Sequence, residues 1–307
     1  MSPAVRMLER VERQAPFGLR LWDAAAATQR IDGLRVELSP RQRPEQRVRA
    51  FVNPSGIWCA LGLPGLQTFE HASAADPADW SAALRGYRVE VRDPAGRFLP
   101  LAFDADLPVR GLFDPLSAGS PLPGPFPLPE SPPSPPSPPS PPGPVPSRVP
   151  LFSAPGRPVP SALAEVRAQV LEHPSGRPAA WCLIVVSLDG VTRGLGLTDQ
   201  EGRVLILFPY PARPRPVLTS PPSPTNDFRW TLTLTAYYRP GPLDSAVSAM
   251  PDLADLQQQL AAPRTLFESL APDRPLTALP LEYQVPLTVR TRTTGAAGSS
   301  YLFVDAT

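Results

Sequence analysis

Residues 131–142 read SPPSPPSPPSPP, and from Pro115 to Pro160 nearly every second residue is proline. Proline lacks the backbone N–H and fixes φ, so such a segment enters neither a helix interior nor a central strand. It favours extended polyproline II at about 3.1 Å per residue, which gives the twelve-residue repeat a span of about 37 Å. The reading is a semi-rigid spacer between folded units. The sharper reading, a ligand for an SH3-like domain, needs such a domain nearby, and the spacer is preferred. With 47 prolines in 307 residues, one compact helical or parallel-sheet enzyme is a poor fit. Two domains of ordinary size fit the length.

The same grammar stands on both sides of the proline segment. Asn53–Leu61 (NPSGIWCAL) and Asp93–Phe103 (DPAGRFLPLAF) precede it; His173–Val186 (HPSGRPAAWCLIVV) and Asp199–Phe208 (DQEGRVLILF) follow it. Each half carries Pro-Ser-Gly, then Trp-Cys, then Asp-x-x-Gly-Arg. Two copies of one β-module explain this economically. Asp93, Gly96 and Arg97, and their counterparts Asp199, Gly202 and Arg203, read as structural turns: Asp bonds its own backbone and Gly supplies a positive φ. Trp58 and Trp181, at matched places, read as core residues.

Tyr87–Asp93 alternates strictly, which predicts a half-buried strand and a hairpin over Tyr87–Phe103. The apolar run Val204–Phe208 predicts a strand buried on both faces or entering a sandwich core. Phe228–Tyr238 and two C-terminal segments add strands. Helix is expected only at Val5–Arg13 and in an insertion after Met250, where DLADLQQQLA and RTLFESLA stand.

Net charge is +1, and all 29 basic residues are arginine. Near-neutrality argues against nucleic acid as a partner, and the lysine-free, Ala/Pro/Gly-rich composition reflects a GC-rich bacterial genome. The first twenty residues lack the apolar core of a secretory signal, and no stretch approaches the roughly 20 apolar residues of a membrane span. The chain is expected to be made and kept in the cytoplasm, or to leave it inside something larger. Cys59 and Cys182 read as buried single thiols.

Groups for chemistry are few. The two histidines, His71 and His173, stand in unlike settings. His173 occupies a turn position where the sister copy has Asn53; Glu70 beside His71 lacks a second His or Cys nearby. No zinc-protease motif, paired Cys-x-x-Cys, phosphate loop or nucleophile elbow occurs. Asp104 and Asp106 read as a solvated strand end rather than a calcium site. The expectation is a non-enzyme with no catalytic residue, metal or cofactor.

Val166–Pro211 resembles the transthyretin-like or carboxypeptidase-regulatory-like β-sandwich, in which a strand–turn–strand start precedes Thr-Asp-x-x-Gly-x and a core strand. Leu19–Phe103 matches loosely, since RDPAGRFLPL lacks the Thr. GLRLWDAA, GLPGLQTFE and RDPAGRFLPLAFDADLPVRGLF, followed by GLTDQEGRVLILFPYP, are together similar to a protein found with bacterial contractile injection systems, phage-tail-like particles of sheath, tube and baseplate. The resemblance implies a structural, baseplate-associated role with sheath, tube or baseplate proteins as partners. The alternative is a free-standing module binding a peptide or glycan.

The expected fold is therefore mostly β, with two transthyretin-like β-sandwich domains joined by a proline-rich linker. Residues 1–16 form an arm or short helix, 17–114 the first sandwich, 115–160 the linker, and 161–307 the second sandwich with a helical insertion near 250–272. Leu63, Leu66 and Phe69 in one insertion, and Leu256 and Phe267 in the other, are the candidate subunit contacts, because insertions carry module-specific surface.

Overall fold

The computed structural model describes residues 13–26, 28–71, 80, 84–113, 149–211, 228–241, 250–270, 272–292 and 298–306. Within them the chain is predominantly β, in several sheets, with two short helices, Gln67–Glu70 and Leu253–Gln259. The expected helix at 5–13 and the 131–142 repeat lie outside the described residues, apart from Arg13.

In the N-terminal body, a four-stranded sheet runs in the order Val48–Arg49, Arg35–Pro40, Arg85–Arg92, Leu101–Leu107. Alternation along Arg85–Arg92 buries Tyr87, Val89 and Val91 and leaves Arg88, Glu90 and Arg92 on the outer face, as the period of two requires. Two three-stranded sheets complete the body. One comprises Phe17–Leu19, Trp58–Ala60 and Phe51–Val52; the other comprises Val149–Leu151, Leu21–Asp23 and Thr28–Arg30. Their apolar faces share one core with the four-stranded sheet.

The second of these sheets overturns the linker boundary. Val149–Leu151 pairs parallel with Leu21–Asp23, and Val149, Leu151 and Phe152 are buried. Residues 149–157 therefore belong to the N-terminal body. Val109 N donates to Pro16 O, Phe113 N to Gly18 O and Val149 N to Arg20 O, all at 2.7–2.9 Å. Three consecutive anchors thus lie along one flank of residues 16–20, and the chain leaves at Phe113 and rejoins at Val149. Two carbonyls spaced i, i+2 on a strand are about 7 Å apart. The described residues on either side of the proline-rich segment are thus bonded to Gly18 and Arg20, two positions apart in the chain. The physical reason is in the sequence: Val149, Leu151 and Phe152 are apolar residues that gain by burial, and the prolines beside them do not prevent an edge pairing.

In the C-terminal body, one sheet runs Arg203–Pro209, Leu163–His173, Leu302–Asp305, Leu266–Leu270, Asp273–Pro275, with Leu287–Thr288 also beside Leu163–His173. The other runs Val191–Leu197, Leu183–Leu188, Arg229–Tyr237, Pro263–Arg264, with Leu279–Glu282 also beside Arg229–Tyr237. Side chains from both sheets fill a second core. Gly194 and Gly196 let the sheets approach, since a Cβ at either would come within 3.0 Å of Ile206.

The two cores are not independent, contrary to the expectation of bodies held apart. Leu183, Leu197, Leu253 and Leu256 lie in the N-terminal core. The alternating strand explains this: Leu183 faces that core while Ile184 and Val186 face the second. Likewise Val204, Ile206 and Phe208 point into the second core, while Leu205 and Leu207 pack on Ala25. Val204–Phe208 is apolar throughout because both of its faces are covered. The insertion after Met250 is helical only over Leu253–Gln259; RTLFESLA instead forms strand Leu266–Leu270, paired with Leu302–Asp305. Sheet pairing outweighs the helical propensity of that short run.

Candidate functional site

The repeated motif forms the same turn twice. Asp93 accepts from Ala95 N at 3.1 Å, Arg97 N at 2.8 Å and Arg97 Nε at 2.9 Å. Asp199 accepts from Glu201 N at 3.0 Å, Arg203 N at 2.8 Å and Arg203 Nε at 2.9 Å. Gly96 and Gly202 close each turn at φ +66° and +75°, donating to the Asp carbonyl. Burial works to raise the Asp93 carboxyl, but Arg97 and the two backbone donors outweigh it and hold it below the usual range. Every polar atom named here is spent on the turn.

Asn53 builds a third copy without the arginine: its side chain accepts from Ser55 N and Ile57 N, and Gly56 N donates to its carbonyl. His173 does not build a fourth. There Gly176 N donates to Glu172 O at 2.8 Å, so the two Pro-Ser-Gly sequences are different turns. Trp58 is buried and donates from its indole to Arg30 O at 3.0 Å. Trp181, expected in the core of its own half, is half-buried at φ +59° and packs on the N-terminal core.

Three of the five candidate contacts are unavailable to a partner. Leu63 and Leu66 are wholly buried and Leu256 is nearly so, all in the N-terminal core. Phe69 is half-buried and meets Trp80 edge-on at 5.4 Å; Phe267 is half-buried against His173 at 5.2 Å. These insertions fold inward because their leucines complete the core.

Two buried ion networks escaped the sequence reading. Asp23, wholly buried, accepts from Arg157 Nη1 at 3.0 Å and Nη2 at 2.7 Å, and from Arg30 Nη2 at 2.6 Å. Arg157 also donates to Ser153 Oγ at 2.9 Å and lies 4.7 Å over the Phe98 ring. Burial raises the Asp23 carboxyl, and the two arginines more than reverse that. Glu172 accepts from Tyr238 Oη, Ser175 Oγ and both Arg177 nitrogens at 2.5–2.9 Å. Burial acts to raise its carboxyl too, and these donors leave it lowered. Each carboxylate is saturated by groups of its own fold and is poorly disposed to proton transfer.

Glu70 turns inward and accepts from Gly62 N at 2.5 Å. Among the described residues no group of three or more His, Cys, Asp or Glu is placed to hold a metal. Cys59 and Cys182 are free, buried thiols, each pushed up by burial. No helix among the described residues is long and apolar enough to cross a membrane.

One aromatic cluster packs on the second core, with Trp230 buried in it. At one end of the C-terminal body, Tyr210 meets Trp230 at 5.9 Å and Tyr283 at 4.8 Å, and Phe228 meets the same two rings at 6.5 and 6.3 Å. Tyr210, Phe228 and Tyr283 are half-buried. Tyr210 Oη accepts from Gln284 N at 3.0 Å and Tyr283 N donates to Phe228 O at 3.1 Å, so backbone bonds brace the rings. The sequence signal was the FPYP exit at Phe208–Pro211, legible as either a binding surface or a strand end.

No family model, no curated protein and no solved structure matches the chain.

Proposed function

We propose that the chain is a non-enzymatic structural subunit of a bacterial contractile, phage-tail-like injection particle, associated with its baseplate or tail. In this reading its two β-bodies are transthyretin-like β-sandwich modules, assembled in the cytoplasm and released with the particle. Its partners are sheath, tube or baseplate proteins; neither nucleic acid nor membrane insertion is involved. The reading rests first on the motif ensemble from Gly18 to Pro211. The observation that carries it further is the shared core: Leu183, Leu197, Leu253 and Leu256 of one body complete the other. A fused, two-body block suits a fixed place in a large assembly. The reading does not depend on spacing by the proline segment.

The test is co-purification. The tagged chain, expressed from its own genome, is pulled down and examined by mass spectrometry and negative-stain microscopy. Sheath and tube proteins, with visible particles, are the expected result. A chain recovered alone from cells that make particles would sink the assignment. It would favour the second reading, a free-standing module binding a peptide or glycan.

A further inference from the structure

We infer that the contact between the two bodies also forms between chains, so that the C-terminal body of one copy docks on the N-terminal body of a second. This stands independently of particle membership.

The N-terminal core is unfinished without a segment of the other body. Tyr237 and Pro263 are register partners in the C-terminal body, and Met250–Leu260 lies between them in the chain. That segment is thus held at both ends to one place in its own body. Its base is tied there, since the Gln259 amide donates to Trp181 O at 3.1 Å and Tyr237 O at 3.0 Å. Its tip serves the other body. Ala102 N donates to Pro251 O at 3.0 Å, and a parallel bridge sets Asp252 beside Ala102 on the edge strand Leu101–Leu107. Arg88 donates to the Asp252 carboxylate. Leu253 and Leu256 are buried in the N-terminal core, and Leu260 packs against it.

These are the means by which proteins recognise a separate chain. Leu253, Leu256 and Leu260 stand at i, i+3 and i+7, the anchor spacing of a helix seated in a partner's groove, and bonding to a strand edge is a second such mode. Leu183 and Leu197 add apolar area to the same contact. None of these groups lies in the connection between the bodies, so the contact is the same whether its two sides come from one copy or two.

The connection favours exchange. Arg157 is fixed to Asp23 in the N-terminal body, and Leu163 opens the first strand of the C-terminal body. Between them stand only Pro158, Val159, Pro160, Ser161 and Ala162. Fully extended they cover at most about 18 Å, and the two prolines restrict the ways in which the chain can fold back on its own first body. A short, stiff hinge is the setting in which identical elements exchange between copies, since every contact is regained in the exchanged state. Reciprocal exchange closes as a two-fold dimer with both cores complete.

The experiment is a charge-reversal pairing in the full chain. Arg88 lies between Asp252 and Asp104, the latter at 3.1 Å. Arg88→Glu sets a third carboxylate there, and Asp252→Arg sets a second cation beside Arg88. In either variant alone the contact is repulsive, within a chain or between identical chains. In a mixture, an exchanged dimer joins the two reversed partners in one unit and the two native partners in the other. The lost cap to Ala254 N is common to every arrangement. Native mass spectrometry, with one variant isotopically labelled, should show mixed dimers at least about tenfold over either homodimer, as like charges suppress wrong pairs. Hinge length is the second measurement, read by light scattering. Deleting Pro158–Pro160 should make the otherwise native chain dimeric, whereas inserting about ten flexible Gly-Ser residues after Pro160 should leave it monomeric.

Circular dichroism checks folding throughout. Two folded charge variants that form no mixed dimer overturn the proposal. So does a mixed dimer no more abundant than the homodimers, which would place the association on another surface. A hinge-shortened chain that stays a folded monomer overturns it as well. Should one set of variants fail to fold, the other decides.

Discussion

Arg157 reaches Asp23 across 134 residues of chain and grips both carboxylate oxygens, at 3.0 and 2.7 Å. The carboxylate is wholly buried and the guanidinium nearly so, with 7% of its side chain exposed. Removing Arg157 leaves the buried carboxylate with Arg30 as its one cation, so the loss is at most about 3 kcal/mol, the lower end of that for a wholly uncompensated buried charge. Arg157→Met should therefore lower unfolding free energy by up to that amount in urea titration. The acid limb should move as well. Asp23 is held below its ordinary 3.8, so its contribution is intact above pH 3.8 and is lost only as pH falls through the lower folded value. With Arg30 as its one remaining cation, loss should begin at higher pH in the variant.

The anchoring of Phe113 on Gly18 and of Val149 on Arg20 gives a second prediction. A loop joining points about 7 Å apart does not need its length. Cutting residues 114–148 from 35 to about ten removes closure entropy worth about 1 kcal/mol. The shortened chain should keep its fold and gain up to that amount in chemical denaturation. Unfolding or aggregation of the shortened chain would show that the segment separates the bodies after all.

What the sequence made legible was local. Tyr87, Val89 and Val91 alternate with charged residues, and the Asp-x-x-Gly-Arg turns carry their own hydrogen-bond donors within five residues, so both could be read without tertiary context. Their partners could not. Nothing near Val149 distinguishes a linker end from an edge strand until Leu21–Asp23 is known to lie beside it. Leu256 looks like one face of a surface helix, and only the N-terminal core decides where that face points. Arg157 sits in a proline-rich run that hides its role, while Asp23 ends a short strand just before a turn, where an aspartate is unremarkable by itself. For the ring cluster, Tyr210, Trp230 and Tyr283 are separated by up to 73 residues of chain, so their meeting is purely a product of the fold.

The two turn glycines should respond differently to a methyl group. At Gly96, φ is +66° and nothing lies within 4 Å of a new Cβ. Gly96→Ala should cost about 1 kcal/mol, the strain of a left-handed alanine. At Gly202, with φ +75°, the new Cβ would strike the carbonyl of Val170, whose N–H donates to Gly202 O at 2.7 Å. Gly202→Ala adds a backbone clash to the same strain and should cost several-fold more. Parallel melts of the two variants test this, and equal losses would mean that the copies are environmentally equivalent.

Leu256 tests whether the two bodies unfold together. It lies on the helix Leu253–Gln259 of the C-terminal half, is 1% exposed, and belongs to the N-terminal core. Asp252 caps that helix through Ala254 N at 2.8 Å, and Ala102 N donates to Pro251 O at 3.0 Å, so the helix start is tied to strand Leu101–Leu107. Truncation to alanine should cost about 3 kcal/mol, the usual loss for a buried leucine. A surface contact residue would shift stability by no more than about 0.5 kcal/mol. Because the core is shared, hydrogen exchange at Tyr87, Val89 and Val91 should accelerate in Leu256→Ala by about the same free energy. Those three amides lie on a strand far away in sequence. Acceleration confined to residues after 160 would mean that the bodies fold independently and that the shared core contributes nothing to the first.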